Sequence, residues 1–334
     1  MGSESRNRYL LKNTLIFTLG NIGSRMISFF LIPLYTNVLT TSQYGTVDLI
    51  TTISTVAGPM LTLNIAESVM RFGLDKDADK EKNTQCGSIV LLIAMIIGLV
   101  LIPICRCITE VSDYAMYVYF YVISLSASQL FLCDLRGKEL LLKYSLGNIL
   151  QTLMIAILNI TFLLVFKMET GGYLLAYIIA NFIVAIYAII AGKGYKAFSF
   201  HNIDRCKLKE MIRYSVVLIP NTFMWWIMNS SDRVMVTYMI GAAANGIYAV
   251  SYKLPTLVST LTGIFNQAWS YSAIREEGTS DETEYNNKMF KTLSAIAFMM
   301  GIGLLLLTKP FLGVYVADSY YDAWKYTPFL IIGC

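Results

Sequence analysis

Nine stretches of roughly twenty mostly apolar residues follow one another along this chain, at about 12–36, 44–68, 86–105, 114–135, 145–166, 172–192, 214–240, 245–271 and 289–307. A bilayer core is about 30 Å thick, and a helix rising about 1.5 Å per residue needs roughly twenty residues to cross it. The runs therefore predict an all-α, polytopic membrane helix bundle of nine spans. A tenth run begins near Ala323 and closes the sequence at "PFLIIGC". Composition agrees. Of the 334 residues, 56% are hydrophobic and 14% charged, and the mean hydropathy is +0.57. An average soluble domain is about 25% charged, and a soluble chain of this length needs far more polar surface.

Lysine and arginine set the expected orientation. Nineteen of them fall in the N-terminal segment and in the loops after spans 2, 4, 6 and 8, against four (Arg106, Lys167, Lys309 and Lys325) on the opposite side. This predicts a cytoplasmic N-terminus in a cytoplasmic membrane. The first apolar run, ending near Tyr35, is too long for a signal-peptide core and meets no small-x-small cleavage site. "YAMYVYFY" (114–121) fits an aromatic belt at the outer interface.

Several function classes drop out. The net charge of +4 is mild, and no basic patch interleaved with aromatics calls for nucleic acid. Cys105-Arg-Cys107 lacks a second pair, so no metal is expected; the cysteines read as small buried apolar groups. The single histidine, His201, falls in a cytoplasmic loop. No nucleophile, metal or cofactor constellation is present, so the chain does not read as an enzyme.

The spans differ in character. Spans 3, 5, 6 and 9 read as ordinary lipid-facing or packing helices. Span 1 carries Asn21, Ser24, Arg25 and Ser28; span 2 carries Asp48, Gly58-Pro59, Asn64 and Glu67. Span 7 carries Pro220-Asn221, Trp225-Trp226, Asn229, Asp232 and Arg233; span 8 carries Lys253 and Pro255. The polar, Gly/Pro-interrupted pairs stand six spans apart, which fits two parallel repeats with a site at their interface. Gly45 and Gly246, 201 residues apart, mark the repeat length. The expected organisation is a first lobe over 1–210, with spans 1–6, and a partial second lobe over 211–334. The second lobe is expected to be incomplete, because two copies of such a repeat need about 400 residues.

A charge at mid-bilayer costs roughly 2.5–3.5 kcal/mol on translocon scales, so it must pair or face a watery cavity. Asp232 lies about 13 Å below the turn at Gly241, and Lys253 about 12 Å below Asn245. A pair between them is predicted, serving either helix packing or a substrate. Asp232 and Arg233 are about 100° apart on a helix, leaving Arg233 to point elsewhere. Arg25 and Arg233 have no evident carboxylate at their depth and are candidate substrate contacts. Asn21, Arg25 and Ser28 share one helical face, as do Asn221, Trp225, Asn229 and Asp232; these stripes are expected to face each other across a cleft. Glu67 reads as interfacial, near Arg71, and Asp48 as capping or solvating span 2 near the outer mouth; both are candidates for ion coupling. Trp225-Trp226 serve either core packing or a sugar-stacking platform.

The segments "SSDRVMVTYMIGAAANGIYAVSYKLPTL" (230–257) and "LLKNTLIFTLGNIGSRMISFFLIPLYTNVLTTSQYGTVDLI" (10–50) resemble the polysaccharide (O-antigen type) flippases of the multidrug/oligosaccharidyl-lipid/polysaccharide exporter superfamily. The resemblance implies two pseudo-symmetric lobes around a cavity lined by spans 1, 2, 7 and 8. It implies a substrate, an undecaprenyl-pyrophosphate-linked glycan, moved between leaflets by alternating access. Position by position, Arg25, Arg233 and Lys253 become candidate pyrophosphate cations, with Asp232 orienting them. Arginine offers phosphate a fork and lysine a point charge. Membrane lipid and glycan polymerase or assembly proteins are the implied partners. A drug or cation antiporter on the same fold is the alternative. A membrane glycan polymerase or ligase is a third, disfavoured by the lack of a large outer loop.

Overall fold

The structure is a computed structural model and describes residues 27–75, 77–106, 111–198, 204–260, 262–263 and 282–333. Asn21 and Arg25, with the rest of span 1 before residue 27, lie outside the described residues, as does His201. Regular structure among the described residues is all helical.

Among the described residues, five helices are able to cross a membrane by length and composition: Lys80–Pro103, Ser112–Gly137, Leu141–Val165, Glu169–Ala191 and Asn287–Tyr315. These are spans 3, 4, 5, 6 and 9. Span 2 is a sixth, built of two helices, Thr41–Leu61 and Ile65–Gly73. Span 7 is a 35-residue helix, Arg205–Met239, about 50 Å long. It has the length to cross but is too polar to pass as lipid-facing, as its Asn, Asp and Arg residues require. Span 8 is Ala242–Ser251 followed, after a turn at Tyr252, by helical residues 253–260. The final apolar run forms a short helix, Thr327–Ile332.

Spans 2 and 8 are the broken ones, and proline has a part in each. Span 2 bends by 59° after Leu61. Pro59 cannot donate the helical bond of its turn, and Leu63 and Asn64 then take left-handed φ values of 52° and 55°. Asparagine tolerates that region; leucine does so at a cost. In span 8, Pro255 leaves the Ser251 carbonyl without its normal i+4 donor. The Thr327 hydroxyl is shared between that carbonyl, 3.3 Å away, and the Ala323 carbonyl of its own turn at 2.9 Å. The Gly/Pro interruptions legible in the sequence thus become breaks in spans 2 and 8, whereas Pro220 leaves the span 7 helix continuous from Arg205 to Met239.

The opening turns of spans 2 and 8 cross at two glycines. A Cβ on Gly45 would lie 1.8 Å from the Ala242 carbonyl oxygen, and one on Gly246 would lie 2.0 Å from that of Thr41. Thr41 and Ala242, like Gly45 and Gly246, are 201 residues apart. Each glycine therefore meets the counterpart of its own neighbour, as a pseudo-two-fold contact demands. Around this crossing one apolar core runs from Tyr35, Leu49 and Leu174 to Leu254, Leu312 and Tyr320. A second core lies toward the face that bears the basic loops. It includes Ile65, Val69, Leu130, Leu135 and Val184, with Met211 from the start of span 7.

Candidate functional site

The charged residues singled out in spans 2, 7 and 8 come together, but with different partners from those expected. Arg233 Nη1 lies 2.9 Å from Asp48 Oδ1, an ion pair joining span 7 to span 2. Asp48 is only 7% exposed. Its second oxygen lies 3.4 Å from Asn245 Nδ2, which also donates to the Gly45 carbonyl at 2.9 Å. The Arg233 guanidinium sits 5.3 Å from the Tyr252 ring centroid, a cation–π distance. Its Nε is buried and has no hydrogen-bond partner among the described residues.

Asp232 does not pair with Lys253. It accepts from the Tyr248 hydroxyl and from the Arg233 backbone amide. Equal depth was a fair guide to level but gave no azimuth. On the helix Ala242–Ser251 the side chain that reaches Asp232 is Tyr248, and Lys253 lies beyond the break. Lys253 is half-buried within electrostatic reach of Asp48 and Arg233. Its ammonium makes no ion pair or hydrogen bond among the described residues. Asp48, expected to cap or solvate the span, is instead the carboxylate that Arg233 was thought to lack.

The polar stripe of span 7 is open along much of its length. Asn221, Trp225 and Asn229 are exposed, and the Asn229 side chain donates to the Trp225 carbonyl. Trp226 behaves differently, its indole N–H donating to the Thr52 carbonyl at 2.9 Å. That tryptophan is a packing residue. The facing stripe of Asn21 and Arg25 lies outside the described residues.

Toward the basic face, a crevice of about 750 Å3 opens between span 7 and spans 2, 4 and 5. Its walls include Asn64 and Glu67 of span 2, Gln129 of span 4, Asn148 and Gln151 of span 5, and Asn221 of span 7. Asn64 also donates to Thr222 at 3.3 Å, tying span 2 to span 7 at one edge. Glu67 does not pair with Arg71, which is taken by Asp75 at 2.6 Å. Span 5, read from sequence as an ordinary packing helix, supplies two amides to this wall. Its apolar residues outnumber them, and that hid the face. The signal lay in the spacing: Asn148 and Gln151 are three residues apart and share one side of the helix.

Broken, polar helices carrying an ion pair inside an all-helical bundle define a class, that of multi-pass membrane proteins built on the MATE transporter fold. An outward-facing multidrug resistance MATE family transporter of the MOP superfamily matches with a TM-score of 0.58 at 14% identity, over 97% of this chain and 79% of that one. A MATE protein in complex with MaD3S gives 0.54 at 13% identity, over 97% and 79%. The bent form of the Vibrio cholerae MATE transporter VcmN gives 0.51 at 13%, over 96% and 78%. At these identities the likeness is one of fold. The chain belongs to the polysaccharide biosynthesis protein family, whose sequence pattern matches residues 10–274. Among curated proteins none matches in sequence.

Proposed function

We propose that this protein moves a lipid-linked oligosaccharide, a glycan carried on a polyprenyl pyrophosphate, from the inner to the outer leaflet of a bacterial cytoplasmic membrane. The N-terminus is cytoplasmic in this reading, and the two lobes alternate in access. Glycan polymerase or assembly proteins are its partners downstream. Family membership supports the substrate class. The observation that carries the chemistry is Lys253, a half-buried cation whose ammonium makes no ion pair or hydrogen bond among the described residues and lies within electrostatic reach of an Asp48 carboxylate already engaged by Arg233. Two cations beside one carboxylate leave a positive charge that an anionic ligand would offset. Pyrophosphate also offers Arg233 more acceptor oxygens than Asp48 does, including one for the unpartnered Nε.

The test is complementation of a strain lacking its own flippase. Arg233→Ala and Lys253→Ala are each expected to abolish surface glycan while protein levels hold. Normal display by either variant would overturn the anion role. One observation favours cation or drug antiport instead: Glu67, a carboxylate in the crevice with no ion pair among the described residues. Under that reading Glu67→Gln abolishes resistance to ethidium. Under ours the wild type confers no resistance to ethidium.

A further inference from the structure

We infer that the crevice between span 7 and spans 2, 4 and 5 is a saccharide subsite that accepts neutral sugars and discriminates against acidic ones. The inference rests on the lipid-linked glycan reading above and adds which glycans qualify.

Size and lining carry it. About 750 Å3 falls within the roughly 300–1,000 Å3 of small-molecule sites. The wall presents amides from four spans, through Asn64, Gln129, Asn148, Gln151 and Asn221, and no Lys, Arg or His lines it. An amide donates and accepts at once, as a sugar hydroxyl or acetamido group does. The side chains of Gln129, Asn148 and Asn221 make no hydrogen bond to described residues, so their capacity is unspent. Gln151 is braced from outside the crevice, its Nε2 lying 2.6 Å from Asn181 Oδ1. An apolar ligand would strip these amides of water and return nothing.

The single carboxylate supplies the discrimination. Glu67 is able to accept from sugar hydroxyls, but it repels a uronic or sialic carboxylate. No Lys, Arg or His lines the crevice; the Arg136 guanidinium stands behind its wall, 5.5 Å from the ring centroid of the lining Tyr144. Twelve residues of span 7 separate Asn221 from Arg233, about 18 Å along the helix. The charged and sugar parts of one extended headgroup thus meet different chemistry.

The test uses the full chain in lipid nanodiscs with calorimetric titration. Oligosaccharides are released by mild acid from the native host's polyprenyl-linked pool and split by anion exchange into neutral and acidic fractions. The neutral fraction is expected to bind at least tenfold more tightly than the acidic. Asn148→Ala and Gln151→Ala are each expected to weaken neutral binding about tenfold, the worth of one or two hydrogen bonds. Glu67→Gln is expected to narrow the gap between the two fractions by improving binding of the acidic one at least fivefold. Unchanged elution and helicity show that each variant folds. Equal or tighter acidic binding overturns the subsite, as do unchanged affinities in both amide variants, or no saccharide bound by folded wild type. Inorganic pyrophosphate is titrated separately. If it binds wild type and not Lys253→Ala, the flippase reading stands even where the subsite fails. If ethidium binds instead, and that binding is lost in Glu67→Gln, both fail.

Discussion

Arg233 Nη1 lies 2.9 Å from Asp48 Oδ1, closing an ion pair between helices 185 residues apart in sequence. It joins span 2 to span 7. Breaking such a pair from one side leaves an uncompensated charge, which costs about 3–5 kcal/mol when buried. Arg233→Met alone is expected to lower the thermal unfolding temperature in detergent markedly. Arg233→Met combined with Asp48→Leu is expected to recover most of the loss. A double variant as unstable as the sum of its singles would show that the two side chains do not act as a pair.

The glycine crossing yields a stricter prediction. At Gly45 and Gly246 an added methyl meets backbone oxygen within 2.0 Å, and backbone cannot rotate away as a flexible side chain does. Gly45→Ala or Gly246→Ala is expected to cost at least the roughly 1–3 kcal/mol of an overpacked contact, seen as loss of a monodisperse folded peak. Gly303→Ala is the control, with nothing within 4 Å of the new atom. It is expected to be neutral or to gain about 0.5–1 kcal/mol of helix propensity. Equal behaviour of the two sets would refute the close crossing.

Orientation is open to direct labelling. Asp113 and Lys196 are both exposed and sit in loops on opposite faces of the bundle. In a chain otherwise free of cysteine, Asp113→Cys should react with an impermeant maleimide in intact cells. Lys196→Cys should react only after permeabilisation. The reverse pattern would invert the proposed topology.

The repair of span 8 predicts a coupling. Thr327→Val removes the hydroxyl that serves the Ser251 carbonyl and should cost about 1 kcal/mol. In a Pro255→Ala background the helix supplies its own donor, so the same change should cost much less. Additive losses in a double-mutant cycle would mean that Pro255 has no part in that hydrogen bond.

Much of the architecture was readable residue by residue. Apolar runs located the spans because lipid demands a fixed length of uninterrupted helix. Polar and Gly/Pro content marked spans 2, 7 and 8 because intramembrane polar groups need an interior environment. The matching of Gly45 with Gly246 was visible as a 201-residue offset, and the crossing realises it. Partner choice was less accessible. Depth along a helix follows from counting residues, whereas azimuth and bending depend on packing. Asp232 and Lys253 were level, yet Asp232 turned to Tyr248. Arg233 found Asp48, a residue that read as a capping group at the membrane edge.

The sequence by itself determined an all-helical membrane protein, the order of its spans and which helices carry unusual polarity. These follow from the free energy of moving side chains between water and hydrocarbon, a property of each residue taken nearly alone. Only the tertiary structure decided which charges pair, where span 2 bends, and that Asn148 and Gln151 of an otherwise greasy helix face a polar crevice. Those outcomes depend on the relative rotation of helices distant in sequence. That rotation is set by close packing at contacts such as Gly45 and Gly246, and no single span encodes it.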